Sequence, residues 1–204
     1  EEFEKMYLSA AIFLGLICAA YTKNCLKVKE MENFDAKKFE GHWYKVGFNV
    51  LNKTDEPVYG PLKCTSIELK TDKKSPNQYS ITISYLLDNI PQDPLVGKLV
   101  FTEPKKGSMK VKVAQLKGRN NVIKIPCTDY TTFAVLYVFE EFEKGHCSDL
   151  IEIVARDPDA YEDIMADEDY IRCIDEQFKM AVDEINPHRG QECSNRISRV
   201  VEEL

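Results

Sequence analysis

Short stretches in which apolar and polar residues alternate recur along the chain, separated by clusters of turn-forming residues. The clearest is Tyr79-Ser80-Ile81-Thr82-Ile83-Ser84-Tyr85, which puts Tyr79, Ile81, Ile83 and Tyr85 on one face of a strand. Trp43 to Leu51, Cys64 to Leu69, Leu95 to Thr102, Met109 to Leu116, Val122 to Pro126, Thr131 to Phe139 and Ser148 to Ala155 read as further strands, rich in β-branched and aromatic residues. Turn signals lie between them: the polar run Asn52 to Pro61, Asp72 to Asn77, Pro104-Lys105-Lys106-Gly107, Gly118-Arg119-Asn120-Asn121 and the charged hairpin Glu140 to Gly145. Lys110 and Lys112 alternate with Val111 and Val113 and read as a solvated exterior. Strands at this rhythm predict a mainly β domain, either a sandwich or an up-and-down barrel.

The period changes at two places. Asn33 to Phe39 predicts a helical turn capped by Asn33 or Asp35. After Arg156, Asp157-Pro158-Asp159 can open a helix. Ile164, Tyr170, Ile171, Ile174, Phe178, Ala181 and Val182 then recur at helical spacing over residues 160–184, with Asp163, Asp167, Glu168 and Asp169 on a solvated acidic face. Asn186 to Gly190 ends that segment. No repeat, linker or low-complexity tract divides the chain.

Residues 6–20 form an apolar run ending in small residues, the pattern of a secretory signal. The run is short for a bilayer span, which takes about 20 apolar residues. Cleavage is expected after Ala20, leaving one domain over residues 21–204, with Glu1 to Lys5 upstream of a start at Met6. The first twenty residues carry three acids and one lysine, so their loss moves the formal charge from −7 to −5. A mildly acidic chain does not suggest a nucleic-acid partner, and no later segment is apolar enough to predict a membrane span.

Of seven cysteines, Cys18 leaves with the signal. Cys25, Cys64, Cys127, Cys147, Cys173 and Cys193 remain, an even set that reads as disulfides in an extracellular compartment. Their spacing has no C-x-x-C pair and does not suggest zinc. Asn52-Lys53-Thr54 is a glycosylation acceptor triplet in a turn-like stretch.

Three separated segments carry the most specific signal: Phe39-Glu40-Gly41-His42-Trp43-Tyr44, Thr128-Asp129-Tyr130, and Arg156 after an apolar run. With the strands between them they resemble the lipocalin family over nearly the whole mature chain. The resemblance implies an eight-stranded antiparallel up-and-down barrel with a C-terminal α-helix packed outside. It implies that Trp43, the single tryptophan, closes the barrel base and that Arg156 stacks on its indole. Gly41 would let the chain turn sharply into the first strand. Within the family, the chain is similar to salivary lipocalins of blood-feeding arthropods, either the triabin and nitrophorin group of kissing bugs or the tick histamine-binding group. Their shared plan implies pairing Cys25 with Cys147 and Cys64 with Cys193, leaving Cys127 with Cys173.

Alternation predicts which side chains line such a cup. Tyr44, Val46, Phe48 and Val50 point inward if a bulge follows Trp43. Tyr79, Ile81, Ile83 and Tyr85 do so on another strand, and Thr131, Phe133, Val135 and Tyr137 on the late one. The predicted ligand-binding lining is therefore Tyr44, Val46, Phe48, Tyr79, Ile81, Ile83, Tyr85, Phe133, Val135 and Tyr137. An apolar, tyrosine-rich lining suits a fatty or eicosanoid ligand. An amine would need an interior carboxylate, and Glu68 and Glu152 supply one only if the register turns them inward. Haem carriage in this family needs a histidine shortly after Cys64, where Ile67 to Asp72 has none; His42, His146 and His188 lie elsewhere. No metal and no cofactor are expected.

The chain lacks a Gly-x-Ser-x-Gly elbow, a His-Glu-x-x-His pair and a phosphate loop, so no enzyme is expected. The function implied is that of a secreted, monomeric binder that sequesters a host mediator, an eicosanoid or a biogenic amine, with an antihaemostatic or anti-inflammatory effect. The alternative is a protein-directed inhibitor of coagulation, platelets or complement acting through the barrel loops.

Overall fold

Each of the eight predicted strands forms, and each pairs antiparallel with its chain neighbour. The computed structural model describes residues 25–55, 61–72, 75–103, 105–114, 120–142, 147–188 and 193. The strands are β1 (Gly41–Val50), β2 (Leu62–Asp72), β3 (Ser75–Leu87), β5 (Leu95–Phe101), β6 (Ser108–Val113), β7 (Asn121–Thr128), β8 (Phe133–Glu141) and β9 (Cys147–Ala155). β9 returns to pair with β1, from Tyr44↔Ala155 to Val50↔Leu150, so the sheet closes into an up-and-down barrel. Closure leaves none of these eight strands as an edge. Two short strands are added: β4 (Ile90–Pro91) pairs with β3, and β10 (Asn186–Pro187) pairs with β1 at Gly47 and Phe48. β10 takes up the side of β1 that β2 leaves after Tyr44.

The helices sit outside this wall. α1 (Ala36–Phe39) is capped by Asp35, whose carboxylate accepts from Lys37 N and Lys38 N. The helical pattern over residues 160–184 is not one helix. It divides into α2 (Tyr161–Met165), α3 (Glu168–Phe178) and a 3₁₀ turn at Val182–Glu184. The break follows from local chemistry: Asp167 is extended and caps α3 by accepting from Tyr170 N, and Lys179 ends α3 in the left-handed region at φ 55°.

Two apolar layers result. Trp43, Leu69, Tyr79, Ile81, Leu99, Met109, Ile125, Leu136 and Val154 pack inside the barrel. Val46, Phe133, Val135, Ile151 and Ile153 pack outside it, under Ile164, Tyr170 and Ile174 of α2 and α3. β8 and β9 are therefore covered on both faces.

Three disulfides tie the periphery to the barrel. Cys25 is bonded to Cys147, Cys64 to Cys193 and Cys127 to Cys173, with Cα separations of 5.1, 5.3 and 6.5 Å. The first fastens the N-terminal segment to the start of β9, the second fastens Cys193 to β2, and the third fastens α3 to β7. The expected signal segment, its cleavage point and His146 lie outside the described residues. Among the described residues no helix is long and apolar enough to cross a membrane.

Candidate functional site

The site is built from the base of the barrel upward. Trp43 is buried at the start of β1, stacked on Phe39 at 4.8 Å, with its indole N–H donating to Phe39 O at 2.9 Å. The Arg156 guanidinium lies 3.6 Å from the Trp43 ring centroid. Its three nitrogens donate to three carbonyls: Nε to Tyr130 O, Nη1 to His42 O and Nη2 to Lys38 O. Arg156 thereby joins α1, β1 and the β7–β8 turn. Gly41 stands at φ +100°, and a Cβ there would meet Arg156 Nη1 at 3.2 Å. Both the backbone conformation and the close guanidinium call for glycine.

Thr128, Asp129 and Tyr130 form that turn. The Thr128 hydroxyl donates to Phe133 O at 2.6 Å and accepts from Tyr130 N at 2.9 Å. Asp129 Oδ1 accepts from the backbone N–H of Thr131, Thr132 and Phe133. Burial alone would raise the Asp129 pKa, but these donors outweigh it and hold the carboxyl below its ordinary value. Tyr130, at φ 68°, packs against Phe34, and its hydroxyl accepts from Asp35 N.

Above this floor the interior is apolar. Phe39, Trp43, Ile67, Leu69, Ile81, Leu99, Met109, Ile123, Ile125, Leu136 and Val154 enclose a cavity of about 20 Å³, close to filled. Higher up, Ile83, Leu95, Val111 and Val138 belong to the same interior layer but are only half-buried, so the barrel opens to solvent at that end.

The structure divides the predicted lining between the two faces of the barrel wall. Tyr79, Ile81 and Ile83 face inward, and Tyr85 follows them by alternation. Phe48 also faces inward, opposite Glu152. Tyr44, Val46, Phe133, Val135 and Tyr137 do not line the cup. Tyr44 and Val46 face α2 and α3 because the bulge in β1 falls between Lys45 and Gly47, not directly after Trp43. Val46 and Gly47 both point outward there. A Cβ on Gly47 would come within 2.9 Å of the Ile185 side chain, so the bulge needs a glycine for close approach. On β8 the inward residues are Ala134, Leu136 and Val138. Phe133 and Val135 pack under the helices. Tyr137 is outside too, where its hydroxyl donates to Asp149 Oδ2 and accepts from Leu26 N. Burial, then the adjacent Asp149 carboxylate, push its pKa up.

The inner face also holds an ion pair, between Lys45 and Glu152, whose lysine sequence reasoning missed. Lys45 shares the inward face with Trp43, two residues along the strand. Its ammonium donates to Glu152 Oε1 at 2.8 Å. The Lys45 side chain is 2% exposed and that of Glu152 19%. Phe48, re-phased by the bulge, covers the ammonium with its ring centroid 5.0 Å away. His188 meets Phe48 edge-on at 5.6 Å, and Thr65 N donates to His188 Nε2 at 3.3 Å. Removing one member of such a buried pair strands the other charge, a loss of about 3 kcal/mol. Glu68, the other carboxylate considered, points outward beside Lys70.

His42 is outside the barrel against Tyr44, and its Nε2 is buried with no hydrogen-bond partner among the described residues. Burial, aided by the Arg156 charge and opposed by Glu68, lowers its pKa. No cluster of His, Cys, Asp or Glu that could hold a metal occurs among the described residues. A second concavity, about 330 Å³, lies outside the barrel between α3 and β7, beside the Cys127–Cys173 bridge, Asp129, Arg172 and Glu176. Asn52 Nδ2 donates to Cys147 O at 3.3 Å.

No family model matches the chain, and no curated protein matches it at a significant level. Solved structures do. Insecticyanin from the tobacco hornworm Manduca sexta is 20% identical, with a TM-score of 0.60 over 84% of this chain and 89% of that one. A biogenic amine-binding protein is 14% identical, with a TM-score of 0.62 over 87% of this chain and 96% of that one. The siderocalin Ex-FABP, described as having dual ligand specificities, is 11% identical, with a TM-score of 0.55 over 76% of this chain and 95% of that one. In strand order, barrel closure and external helix, the chain has the lipocalin fold.

Proposed function

We propose that this chain is a secreted lipocalin that sequesters a small hydrophobic or amphipathic mediator in its barrel, by tight removal and without chemistry. The observation that carries this reading is the paired Lys45 and Glu152 set above an apolar floor, with Phe48 beside them. An apolar ligand body would be stabilised by about 25 cal/mol per Å² it buries on that floor. The polar head would meet the ion pair. The two mediator classes suggested by the resemblance each find one half of it: an eicosanoid carboxylate matches Lys45, and a biogenic amine matches Glu152. The likeness to a biogenic amine-binding protein supports testing amines first. Secretion is supported by the apolar run at residues 6–20 and by three disulfides. On this reading the protein works as a monomer, with Asn52 as an attachment point for glycan.

The test is calorimetric titration of the mature protein with a thromboxane analogue, leukotrienes, arachidonate, serotonin, histamine, noradrenaline and haem. One saturable, near-stoichiometric ligand is expected. Silence across the panel would sink the eicosanoid and amine assignment. It would turn attention to a protein-directed inhibitor of coagulation, platelets or complement, which the nearly filled barrel base and the exposed acids Asp163, Glu168 and Asp169 favour.

A further inference from the structure

We propose that the Lys45–Glu152 pair makes the cup select ligands whose polar head is net neutral, either uncharged or zwitterionic, over heads with one charge. This rests on reading the barrel as a small-molecule cup, and narrows the mediators named there to those whose head is uncharged or carries both signs. The ammonium and the carboxylate already satisfy one another at 2.8 Å, in a layer flanked by Phe48 and Leu136. A ligand bringing a lone ammonium to Glu152 places a second cation beside Lys45. A lone carboxylate brought to Lys45 places a second anion beside Glu152. Either leaves an excess charge where little water reaches, and desolvation makes that unfavourable. An uncharged head leaves the pair intact. A zwitterion can open it and re-pair both ions, its cationic end on Glu152 and its anionic end on Lys45. Lys45 is the deeper member and Glu152 the more exposed one, so the cationic end is expected nearer the mouth.

The other acid on this face does not cancel the argument. Glu140 lies further along β8 by alternation from Leu136 and Val138, and its Oε1 accepts from Asn120 N. It pairs in register with Ser148, four residues along β9 from Glu152, or roughly 13 Å. His188 touches Phe48 and Thr65, and its Nε2 accepts from Thr65 N. By alternation from the interior residues, the inward positions between Ile67 and Leu69, Tyr79 and Tyr85, Leu95 and Phe101, and Met109 and Val113 carry no formal charge.

The experiment uses two matched series at pH 7. One has an indole body: tryptophol, tryptophan, tryptamine and indole-3-propionate. The other has a decyl body: decanol, decylphosphocholine, decylammonium and decanoate. Each is titrated calorimetrically into the mature protein and into Lys45→Met, Glu152→Gln and the double variant. In whichever series binds, the uncharged or zwitterionic head is expected to bind the unaltered protein about tenfold more tightly than either ion, or better. Lys45→Met is expected to move the preference toward the ammonium, and Glu152→Gln toward the carboxylate, each by about tenfold. The double variant keeps the uncharged head and loses the zwitterion. It leaves no unpaired ion, so it carries the test if either single variant fails to fold. Preference of the unaltered protein for a singly charged head overturns the proposal while leaving the cup reading standing. So does failure of the variants to shift in opposite directions. No binding by any member of either series, with cooperative melting intact, overturns the cup reading itself.

Discussion

Arg156 and Trp43 are stacked, the guanidinium carbon 3.6 Å from the ring centroid, and the same guanidinium donates to three backbone carbonyls. One side chain thereby ties three elements together, α1, β1 and the β7–β8 turn. Arg156→Ala is expected to cost about 2–3 kcal/mol in urea unfolding. Arg156→Lys is expected to recover little of it, because an ammonium cannot donate along three fixed directions while lying flat on an indole. A full rescue by lysine would mean that charge alone holds the base.

Acid should weaken the fold in two stages. His42 has a folded pKa below its ordinary value of 6.5, so the unfolded chain takes up the proton first. Its contribution is complete above about pH 6.5 and is lost as pH falls through the folded value. Asp129 is likewise depressed from 3.8, so its contribution is complete above about pH 4 and is lost as pH falls below that. Melting temperatures of the native chain and of His42→Asn and Asp129→Asn, taken from pH 8 to pH 3, test this. His42→Asn is expected to flatten the upper stage only. Asp129→Asn is expected to lower stability by about 1–2 kcal/mol at neutral pH and to flatten the lower stage. Unchanged profiles in both variants would contradict the assignment.

The three bridges should differ in worth. Cys127–Cys173 spans 46 residues, against 122 for Cys25–Cys147 and 129 for Cys64–Cys193. On chain entropy, replacing Cys127 and Cys173 by Ser is expected to cost about 3–4 kcal/mol, and either longer bridge about 1 kcal/mol more. The shorter bridge also lines the groove between α3 and β7, whereas Cys147 and Cys193 are fully buried. Limited reduction by a small thiol followed by alkylation and peptide mapping should therefore label Cys127 and Cys173 first. Earlier labelling of Cys147 or Cys193 would count against this.

Tyr170 is fully buried under the barrel wall, and its hydroxyl takes no hydrogen bond among the described residues. Burial and the nearby Tyr161 push its pKa up. The ring packs edge-on against Phe133 at 5.7 Å. Tyr170→Phe keeps that packing and removes the unsatisfied group, so it is expected to stabilise the chain by about 0.5–1 kcal/mol. A loss of stability on denaturant unfolding would show that the hydroxyl has a partner.

What could be read from the sequence follows from which residues have only one way to sit. Gly41, Trp43, Thr128, Asp129 and Arg156 engage backbone groups or a single indole, so their types and order announce the barrel base. Tyr79 to Tyr85 alternates cleanly because one face meets the interior and the other does not. β8 could not be phased that way: Phe133 to Tyr137 is buried on both faces, so Val135 and Leu136 look equally inward. The first strand failed for a different reason. Trp43 facing inward implies the same of Lys45, but placing the bulge directly after Trp43 rather than at Val46 and Gly47 turns Tyr44 and Val46 into the cup and Lys45 out of it. Glu152 was legible only as one of two options, because its neighbours Ile151 and Ile153 are as apolar as any interior residue. They pack instead beneath α2 and α3.

The Val46–Gly47 bulge gives β1 two independently addressed halves. Below it, Trp43 and Lys45 keep the phase set by the sealed floor; above it, Phe48 and Val50 keep the phase set by pairing with Glu152 and Leu150. Running β1 through this joint in strict alternation, with no bulge, would carry Phe48 to the outer wall and Asn49 into the lumen while leaving Trp43 and Lys45 in place. Deleting one of the two outward residues removes the bulge yet keeps Phe48 opposite Glu152, so the lining of the entrance tolerates the loss of one codon here and depends instead on the extra residue staying outside.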